Sequence, residues 1–487
     1  MNEFFKKQVI IFFLFFTAFC SQAEAVFPED GQMSPSKLYP GQMTEVLIYS
    51  SGPGDFPDDV QVDLGEGITI SSIGPDSPFG FGGTIKASIV ISDTATLGYR
   101  DMTLSSLAEG ETKVITNAIE IVEKSSFPIT FDTKSIDVFL KTGEPFAVAL
   151  SDFDGDNDLD IAAGGSGNVA LFKNTGNGDF EFFTTLKAGN GDPSSIAFGD
   201  FNGDKRKDIA FLIPGDPEEI KGYLSIFYGI KKGKFNEKPK QFRPGYDSVS
   251  LATGDFNNDK VDDIVVANQG LTEVGHIKGN LAIYFGKKKQ QSFLKKTIET
   301  GKYPESVVVG DFNNDGNEDI ACSAYNGDSI FTLLGKGNKE FQKKESFGFG
   351  YIGAIQVQLV KGDFNNDNKL DLVESVEASG SHFFLAFFLG NGKGKFQTEF
   401  HYEYEDARLI TSGDFDNDGK QDLAVNMENF SILKGNNDLT FSGPYTFGGD
   451  PITGAAGDLN GDGYLDLVTA NYNKGYISIL INTTMKP

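Results

Sequence analysis

Seven copies of one nine-residue segment constrain this chain more than any other feature. Each copy follows the pattern D-x-[DN]-x-D-x-x-x-D, from DFDGDNDLD at Asp152 to DLNGDGYLD at Asp458. The five copies between them start at Asp200, Asp255, Asp311, Asp363 and Asp414. A period of roughly fifty residues indicates a repeat architecture.

The content of each repeat predicts four short β-strands. In the second repeat these are residues 195–198, 209–212 and 224–228, with a last strand that begins at Lys234 and Phe235. Helical periodicity is absent from the repeat. A phenylalanine is expected to open the fourth strand of six repeats, at Phe180, Phe235, Phe293, Phe341, Phe396 and Phe441. Four strands per repeat predict an all-β, seven-bladed β-propeller.

The seventh repeat lacks a fourth strand of its own. We expect residues 127–131 to supply it and so to close the ring, which protects the strand edges. Cys322 is the only cysteine after residue 25, so no disulfide within the mature chain is expected to contribute.

Three regions are predicted along the chain. Residues 1–25 contain Lys6 and Lys7, an apolar run over 9–16 and a small-residue site at 23–25, which together are typical of a secretory signal peptide. A membrane anchor is the alternative, but the run is short for a span. Residues 26–125 alternate like a small immunoglobulin-like β-sandwich, and residues 126–487 form the propeller.

The net charge of the chain bears on the kind of partner that it can bind. The net charge is -27, which disfavours nucleic acid. A leader without any further span predicts a secreted, extracellular or cell-surface protein, or a periplasmic one if the cell is Gram-negative. No membrane span is expected in the mature chain.

The alternating carboxylates of each loop predict a calcium site. Calcium takes six to eight oxygen ligands, whereas magnesium prefers a smaller octahedral shell and zinc or copper prefers His or Cys. Positions one, three, five and nine are always Asp or Asn; position seven varies, which suggests that it contributes its backbone carbonyl. Up to seven structural Ca²⁺ ions are expected. The candidate ligands are Asp152, Asp154, Asp156, Asp158, Asp160, Asp200, Asn202, Asp204, Arg206, Asp208, Asp255, Asn257, Asp259, Val261, Asp263, Asp311, Asn313, Asp315, Asn317, Asp319, Asp363, Asn365, Asp367, Lys369, Asp371, Asp414, Asp416, Asp418, Lys420, Asp422, Asp458, Asn460, Asp462, Tyr464 and Asp466.

The loops are not expected to be equivalent. Gly or Asn at position four, and at position six of five loops, indicates backbone with positive φ. Lys205 and Lys260 occupy position six of the second and third loops, so we expect these two to bind calcium most weakly.

The repeats resemble the FG-GAP/VCBS repeats of integrin α-subunit propellers and of many secreted bacterial proteins. The segments SPSKLYPGQ at Ser34, GEGITISSI at Gly65 and LGYRDMTLSS at Leu97 resemble IPT/TIG-type immunoglobulin-like domains. The first resemblance implies a non-enzymatic adhesion or recognition module for a protein or glycan ligand.

A secreted hydrolase or polysaccharide lyase is the alternative, with an active site on the propeller face opposite the calcium loops. No catalytic set of residues is recognisable: His276, His382 and His401 are scattered, and Cys322 lies in an apolar strand. The opposite face is expected to carry the longer connections, at 214–221, 268–280 and 374–381, together with Tyr246, Tyr303 and Tyr351.

Overall fold

The structure is a computed structural model that describes residues 129–484 apart from short internal gaps. The gaps are residues 139–143, 188–190, 215–221, 271–277, 301–302, 326–328, 343–344, 348–354, 379–381, 404–406, 428, 437–438 and 448–450. Before residue 129 only the backbone of eight strands is described. Two compact units divide the chain, namely residues 1–126 with 400–404, and residues 127–399 with 405–487.

The first unit contains two four-stranded sheets, with strand orders β1-β3-β6-β5 and β2-β8-β7-β4. Their strands are β1 (Val9–Phe12), β2 (Ser36–Leu38), β3 (Met43–Ser50), β4 (Val60–Asp63), β5 (Ile68–Pro75), β6 (Thr84–Ile91), β7 (Gly98–Ser106) and β8 (Glu111–Ile121). The predicted sandwich stays a prediction, because the side chains that would define its packing lie outside the described residues. The same holds for the signal peptide, most of which is not described.

The second unit, together with the end of β29 at residues 400–403, is a seven-bladed β-propeller, as the sequence predicted. Each blade is a four-stranded antiparallel sheet whose strands follow chain order, except that β9 (Phe131–Asp137) completes blade 7. The blades comprise blade 1, β10 (Ala147–Ser151), β11 (Asp160–Gly165), β12 (Asn168–Asn174) and β13 (Phe180–Lys187); blade 2, β14 (Ser195–Gly199), β15 (Asp208–Ile213), β16 (Tyr223–Phe227) and β17 (Lys240–Phe242); blade 3, β18 (Ser248–Gly254), β19 (Asp263–Asn268), β20 (Asn280–Lys287) and β21 (Gln290–Glu299); blade 4, β22 (Tyr303–Gly310), β23 (Asp319–Tyr325), β24 (Ser329–Leu333) and β25 (Glu345–Phe347); blade 5, β26 (Ile355–Gly362), β27 (Asp371–Ala378), β28 (His382–Gly390) and β29 (Phe396–Glu403); blade 6, β30 (Arg408–Gly413), β31 (Asp422–Asn426), β32 (Phe430–Gly435) and β33 (Phe441–Thr446); and blade 7, β34 (Thr453–Gly457), β35 (Asp466–Asn471) and β36 (Tyr476–Asn482) with β9.

The first strand of each blade packs against the first strand of the next around the centre, and β10 of blade 1 contacts β34 of blade 7. The second strands are the most buried elements: β15 and β19, for example, are buried at every residue. Apolar side chains fill the spaces between neighbouring blades, which places the core between sheets rather than within one. The only helix in the described part of the chain is a 3₁₀ turn at Tyr472–Lys474, so no described helix has the length to cross a membrane.

The ring closes through the predicted kind of strand, but that strand overlaps the predicted residues only at Phe131. Strand β9 pairs antiparallel with β36, from Phe131 opposite Asn482 to Asp137 opposite Tyr476. The predicted strand, residues 127–131, was therefore placed too far toward the N-terminus. An outer strand pairs along one edge only and faces solvent, so the polar sequence FDTKSID is compatible with this position. The prediction instead selected the more apolar residues that precede it.

The phenylalanine that follows each third strand opens the fourth strand only in part of the ring. Phe180, Phe396 and Phe441 begin their strands, and Phe293 lies inside β21. Phe235 and Phe341 instead form isolated bridges, to Gly229 and Gly335, and the strands β17 and β25 start further on. In those two blades Phe235 and Phe341 pair through a single bridge and do not open the outer strand, which corrects the prediction for these two residues.

Candidate metal loops

Each Asp-rich segment joins the first and second strands of a blade; we number the loops 1 to 7 with their blades. At loops 2 and 4, the hairpin between the third and fourth strands of the next blade lies against the loop. The Lys289 N–H of blade 3 donates to the Asn202 carbonyl of loop 2 at 2.7 Å, and the Gly394 N–H of blade 5 donates to the Phe312 carbonyl of loop 4 at 3.0 Å. The lysines at 287–289 therefore belong to a hairpin that covers a neighbouring loop.

The Asp at position nine is fully buried in every loop and begins the second strand. One of its oxygens accepts the backbone N–H of position two at 2.7–3.1 Å. The other accepts, at 2.6–2.9 Å, an N–H that lies within two residues of the end of the third strand; the donors are Asn174, Gly229, Gly286, Gly335, Gly390, Gly435 and Asn482. This carboxylate therefore links three parts of its blade and holds the loop in position. The residues are Asp160, Asp208, Asp263, Asp319, Asp371, Asp422 and Asp466.

The Asp at position one shapes the turn itself. Its Oδ1 accepts the N–H of position five at 3.0–3.2 Å. Its Oδ2 accepts the N–H of position six at 2.7–3.0 Å. The Asp at position five then accepts the N–H of position seven at 2.8–3.0 Å. These bonds curl the backbone so that alternate side chains converge on one side.

The predicted left-handed backbone is present in all seven loops, at positions four and six. At position six, φ is +77° for Asn157, +67° for Lys205 and +64° for Lys260. Both lysines thus adopt the conformation that glycine and asparagine favour, which gives the predicted strain of loops 2 and 3 a structural basis.

The side chains at position three give the clearest indication of a ligand site. The side-chain oxygens Oδ1 of Asp154, Asn202 and Asp416 are buried and have no hydrogen-bond partner. Buried polar atoms normally have one. Carboxylate oxygens of Asp152, Asp154 and Asp156 lie within 4.8 Å of one another, and so do those of Asp414, Asp416 and Asp422. A cation between them would satisfy the orphaned oxygens, so the residues present fit a metal with oxygen ligands.

The raised pKa values of the Asp residues at position nine are consistent with a cation in each loop. Burial, and then the neighbouring loop carboxylates, raise the pKa of Asp160, Asp208, Asp263, Asp319 and Asp371 to about 7, although backbone N–H bonds lower it. For Asp466 the pKa is raised to about 6, and for Asp422 well above its ordinary value. A positive ion in the loop would stabilise the ionised form of every one of these groups.

Position seven has a role that sequence reasoning missed. Arg206 forms an ion pair with Asp204, Lys369 with Asp367 at 2.6 Å, and Lys420 with Asp418 at 3.2 Å. In loops 2, 5 and 6 the basic side chain therefore neutralises part of the position-five carboxylate. The sequence signal for these ion pairs is a basic residue two positions after an Asp.

Two further lysines were missed altogether. Lys173 forms an ion pair with Asp154 of loop 1, and Lys434 with Asp416 of loop 6. Both lysines lie at the end of the third strand of their own blade, one residue before Asn174 and Gly435. The signal that could have found them is the coincidence of an Asp at position three with a lysine in that strand.

The other residues singled out from the sequence do not gather into a second site. Cys322 is buried among apolar residues of blades 3 and 4. Tyr246 and Tyr303 are half-buried at the face opposite the loops. Tyr351, His276 and the side chains of His382 and His401 lie outside the described residues, as does most of the connections at 214–221 and 268–280. The predicted connection at 374–381 is wrong in its first part, because residues 374–378 belong to strand β27, and residues 379–381 lie outside the described residues.

Comparison with known proteins identifies the repeats. Residues 152–211, 311–374 and 414–469 match the FG-GAP-like repeat. A stretch of 120 residues is 33% identical to integrin alpha pat-2 of Caenorhabditis elegans. That stretch is 24% of this chain and 9% of the integrin, so the similarity concerns a small part of the larger protein. The described unit is accordingly an integrin α-like propeller built from FG-GAP-like repeats.

Proposed function

We propose that this FG-GAP-repeat propeller is an exported, calcium-binding adhesion or recognition module whose ligand is a protein or a glycan. The observation that carries the calcium proposal is the set of orphaned oxygens at position three, because three loops each bury one without a partner. Oxygen-only donors in a flexible turn suit calcium better than magnesium, zinc or copper.

The proposed ligands are positions one, three, five and nine, with the backbone carbonyl of position seven. Calcium has a structural role in this proposal, since it binds the folded loops and stabilises them by mass action. The neighbouring hairpins rest on the loops, so a bound ion would also stabilise the contacts between blades. Loops 2 and 3 bind most weakly, because Lys205 and Lys260 adopt left-handed backbone and add a positive charge to the loop sequence.

Recognition is assigned to the face opposite the loops, which is expected to carry the longer connections. The integrin similarity supports adhesion, and the leader predicted at residues 1–25 supports export. The partner is a protein or glycan of the cell surface or extracellular matrix.

The first experiment is thermal unfolding of the purified chain in calcium, in magnesium and in EDTA. Calcium is expected to raise the melting temperature well above that in EDTA, and magnesium less. An unchanged melting curve would refute calcium binding. A screen of glycan and surface-protein arrays, with and without calcium, then tests recognition. Turnover of a polysaccharide in that screen would instead favour a lyase or hydrolase.

A further inference from the structure

Two of the seven loops carry an additional carboxylate. Position three is Asp154 in loop 1 and Asp416 in loop 6, but Asn in the other five. These two loops therefore have four carboxylates at positions one, three, five and nine, whereas the others have three. At these four positions the difference is one negative charge, and loop 1 has a further carboxylate, Asp158, at position seven. The charge at position three requires a compensation if the loops are to fold alike without metal.

The same two blades carry a lysine at one particular place in the third strand. The place is defined structurally: the next residue donates its N–H to the Asp at position nine. It holds Lys173 in blade 1 and Lys434 in blade 6. In blades 2, 3, 4, 5 and 7 it holds the uncharged residues Tyr228, Phe285, Leu334, Leu389 and Ile481. An Asp at position three thus occurs only with a lysine at this place.

The ammonium groups contact the additional carboxylates directly. Lys434 pairs with Asp416 and lies 3.3 Å from Asp418; its side chain is 7% exposed and that of Asp416 is 5% exposed. Lys173 pairs with Asp154, and both are largely buried. Only one oxygen of each position-three Asp is used, because Oδ1 of Asp154 and of Asp416 has no hydrogen-bond partner. The lysine therefore neutralises the charge and leaves an oxygen for a metal.

We propose that Lys173 and Lys434 are tethered cations that keep loops 1 and 6 folded when no calcium is bound. The inference rests on the proposed calcium binding and divides the loops into two classes. Loops 1 and 6 depend least on the metal. Loops such as loop 5, which has Asn365 and Leu389 in the equivalent places, become ordered chiefly by calcium.

Hydrogen exchange of the full chain tests this loop by loop, in calcium and in EDTA. In the wild type, residues 414–422 are expected to stay protected in EDTA, whereas residues 363–371 lose protection. In Lys434→Met, residues 414–422 should exchange on the order of a hundredfold faster in EDTA, because a buried charge loses its partner. Calcium should restore the protection.

A double variant serves as the matched control. Asp416→Asn with Lys434→Leu gives blade 6 the uncharged pair of blade 5, so it leaves no unpaired charge even if Lys434→Met fails to fold. Its loop 6 should become calcium-dependent, as loop 5 is in the wild type. The proposal is overturned if loop 6 of this variant remains as protected in EDTA as in the wild type, or if calcium fails to restore it. If calcium changes the protection of no loop in the wild type, the proposed calcium binding is overturned instead. The comparison of the variants with the wild type in EDTA would still test the role of the lysines.

Discussion

Lysine is a poor occupant of left-handed backbone, yet Lys205 and Lys260 adopt it at position six of loops 2 and 3. A residue with a Cβ costs about 1–2 kcal/mol more than glycine in this conformation. The N–H of each lysine donates to the first Asp of its loop at 2.7 Å, so the turn cannot relax without losing that bond. The strain is therefore retained in the folded state.

Replacing Lys205 by glycine should stabilise the protein. Glycine removes the strain but adds freedom to the unfolded chain, so the net gain in the free energy of unfolding should be about 0.5–1 kcal/mol. Denaturant unfolding in EDTA measures it without any contribution from metal.

Lys207→Gly is the matched control, because Lys207 is two residues away and lies outside the left-handed region. It should be neutral or destabilising. A loss of stability in Lys205→Gly as large as that in the control would show that position six is not strained.

Local features of the loops could be predicted from sequence, and contacts across a blade could not. Gly and Asn at positions four and six indicated the positive φ, because that preference belongs to the residue itself. The pair of Lys434 and Asp416 depends on the register between a loop and a strand that follows it in the chain. The orphaned oxygens depend on burial, which the pattern of Asp residues does not specify.

Among the elements, the third strands of blades 1 and 7 end differently from the rest. In the other five blades the residue that donates its N–H to the position-nine Asp is glycine, and at Gly335 or Gly390 a Cβ would come within 2.2 or 2.1 Å of a backbone oxygen. Blades 1 and 7 have Asn174 and Asn482 there, and both amides reach the neighbouring blade. Asn174 Nδ2 donates to the Leu459 carbonyl of loop 7 at 2.7 Å, and Asn482 Nδ2 to the Phe415 carbonyl of loop 6 at 2.6 Å.

Asn174→Gly should weaken the closure between blades 1 and 7. The backbone is compatible with glycine, which five blades have at this place, so the change removes mainly the buried hydrogen bonds of the amide. We expect a loss of about 1–2 kcal/mol in the free energy of unfolding, measured by denaturant unfolding in calcium.

Asn168→Gly in the same strand is the control, since its amide bonds only to the nearby Ser166 carbonyl and is exposed. Equal losses in the two variants would mean that the cost comes from glycine in a strand and not from the contact between blades.

The outer strands show the limit of sequence reasoning at this scale. Second and third strands are apolar and were placed within a residue or so in the second repeat. Strand β9, with residues 131–137, is polar along most of its length because only one edge is paired. A strand of that composition is indistinguishable from a loop until its partner β36 is known.

At the scale of the ring, the described blades pack mainly through apolar surfaces, and Glu374 is a buried acidic residue among them. It lies in β27 of blade 5 and is fully buried. Burial raises its pKa well above the ordinary value, and the Glu305 carboxylate of blade 4 raises it further. The nearby Ser323 hydroxyl of blade 4 lowers the pKa of Glu374 and so offsets part of this rise. It forms no hydrogen bond of good geometry with the Glu374 carboxyl group. The contact between blades 4 and 5 therefore favours a proton on Glu374.

This proton makes the stability of the ring depend on pH. In the unfolded chain a glutamate ionises near pH 4.3, roughly. Below that pH Glu374 is neutral in both states, so its full contribution to stability is present. As the pH rises toward the raised pKa of the folded state, the unfolded state releases its proton first, and stability falls by about 1.4 kcal/mol per pH unit.

Glu374→Gln keeps the shape of the protonated side chain and cannot ionise. The variant should match the wild type near pH 4 and exceed it increasingly toward pH 8, as measured by denaturant unfolding in saturating calcium, where the loop carboxylates cancel in the difference. Glu377→Gln, on the same strand but half-buried, is the control. If Glu374→Gln is no more stable than the wild type at pH 8, or if the control gains as much, then the contact between blades 4 and 5 does not hold a proton, and the folded ring tolerates a buried charge there.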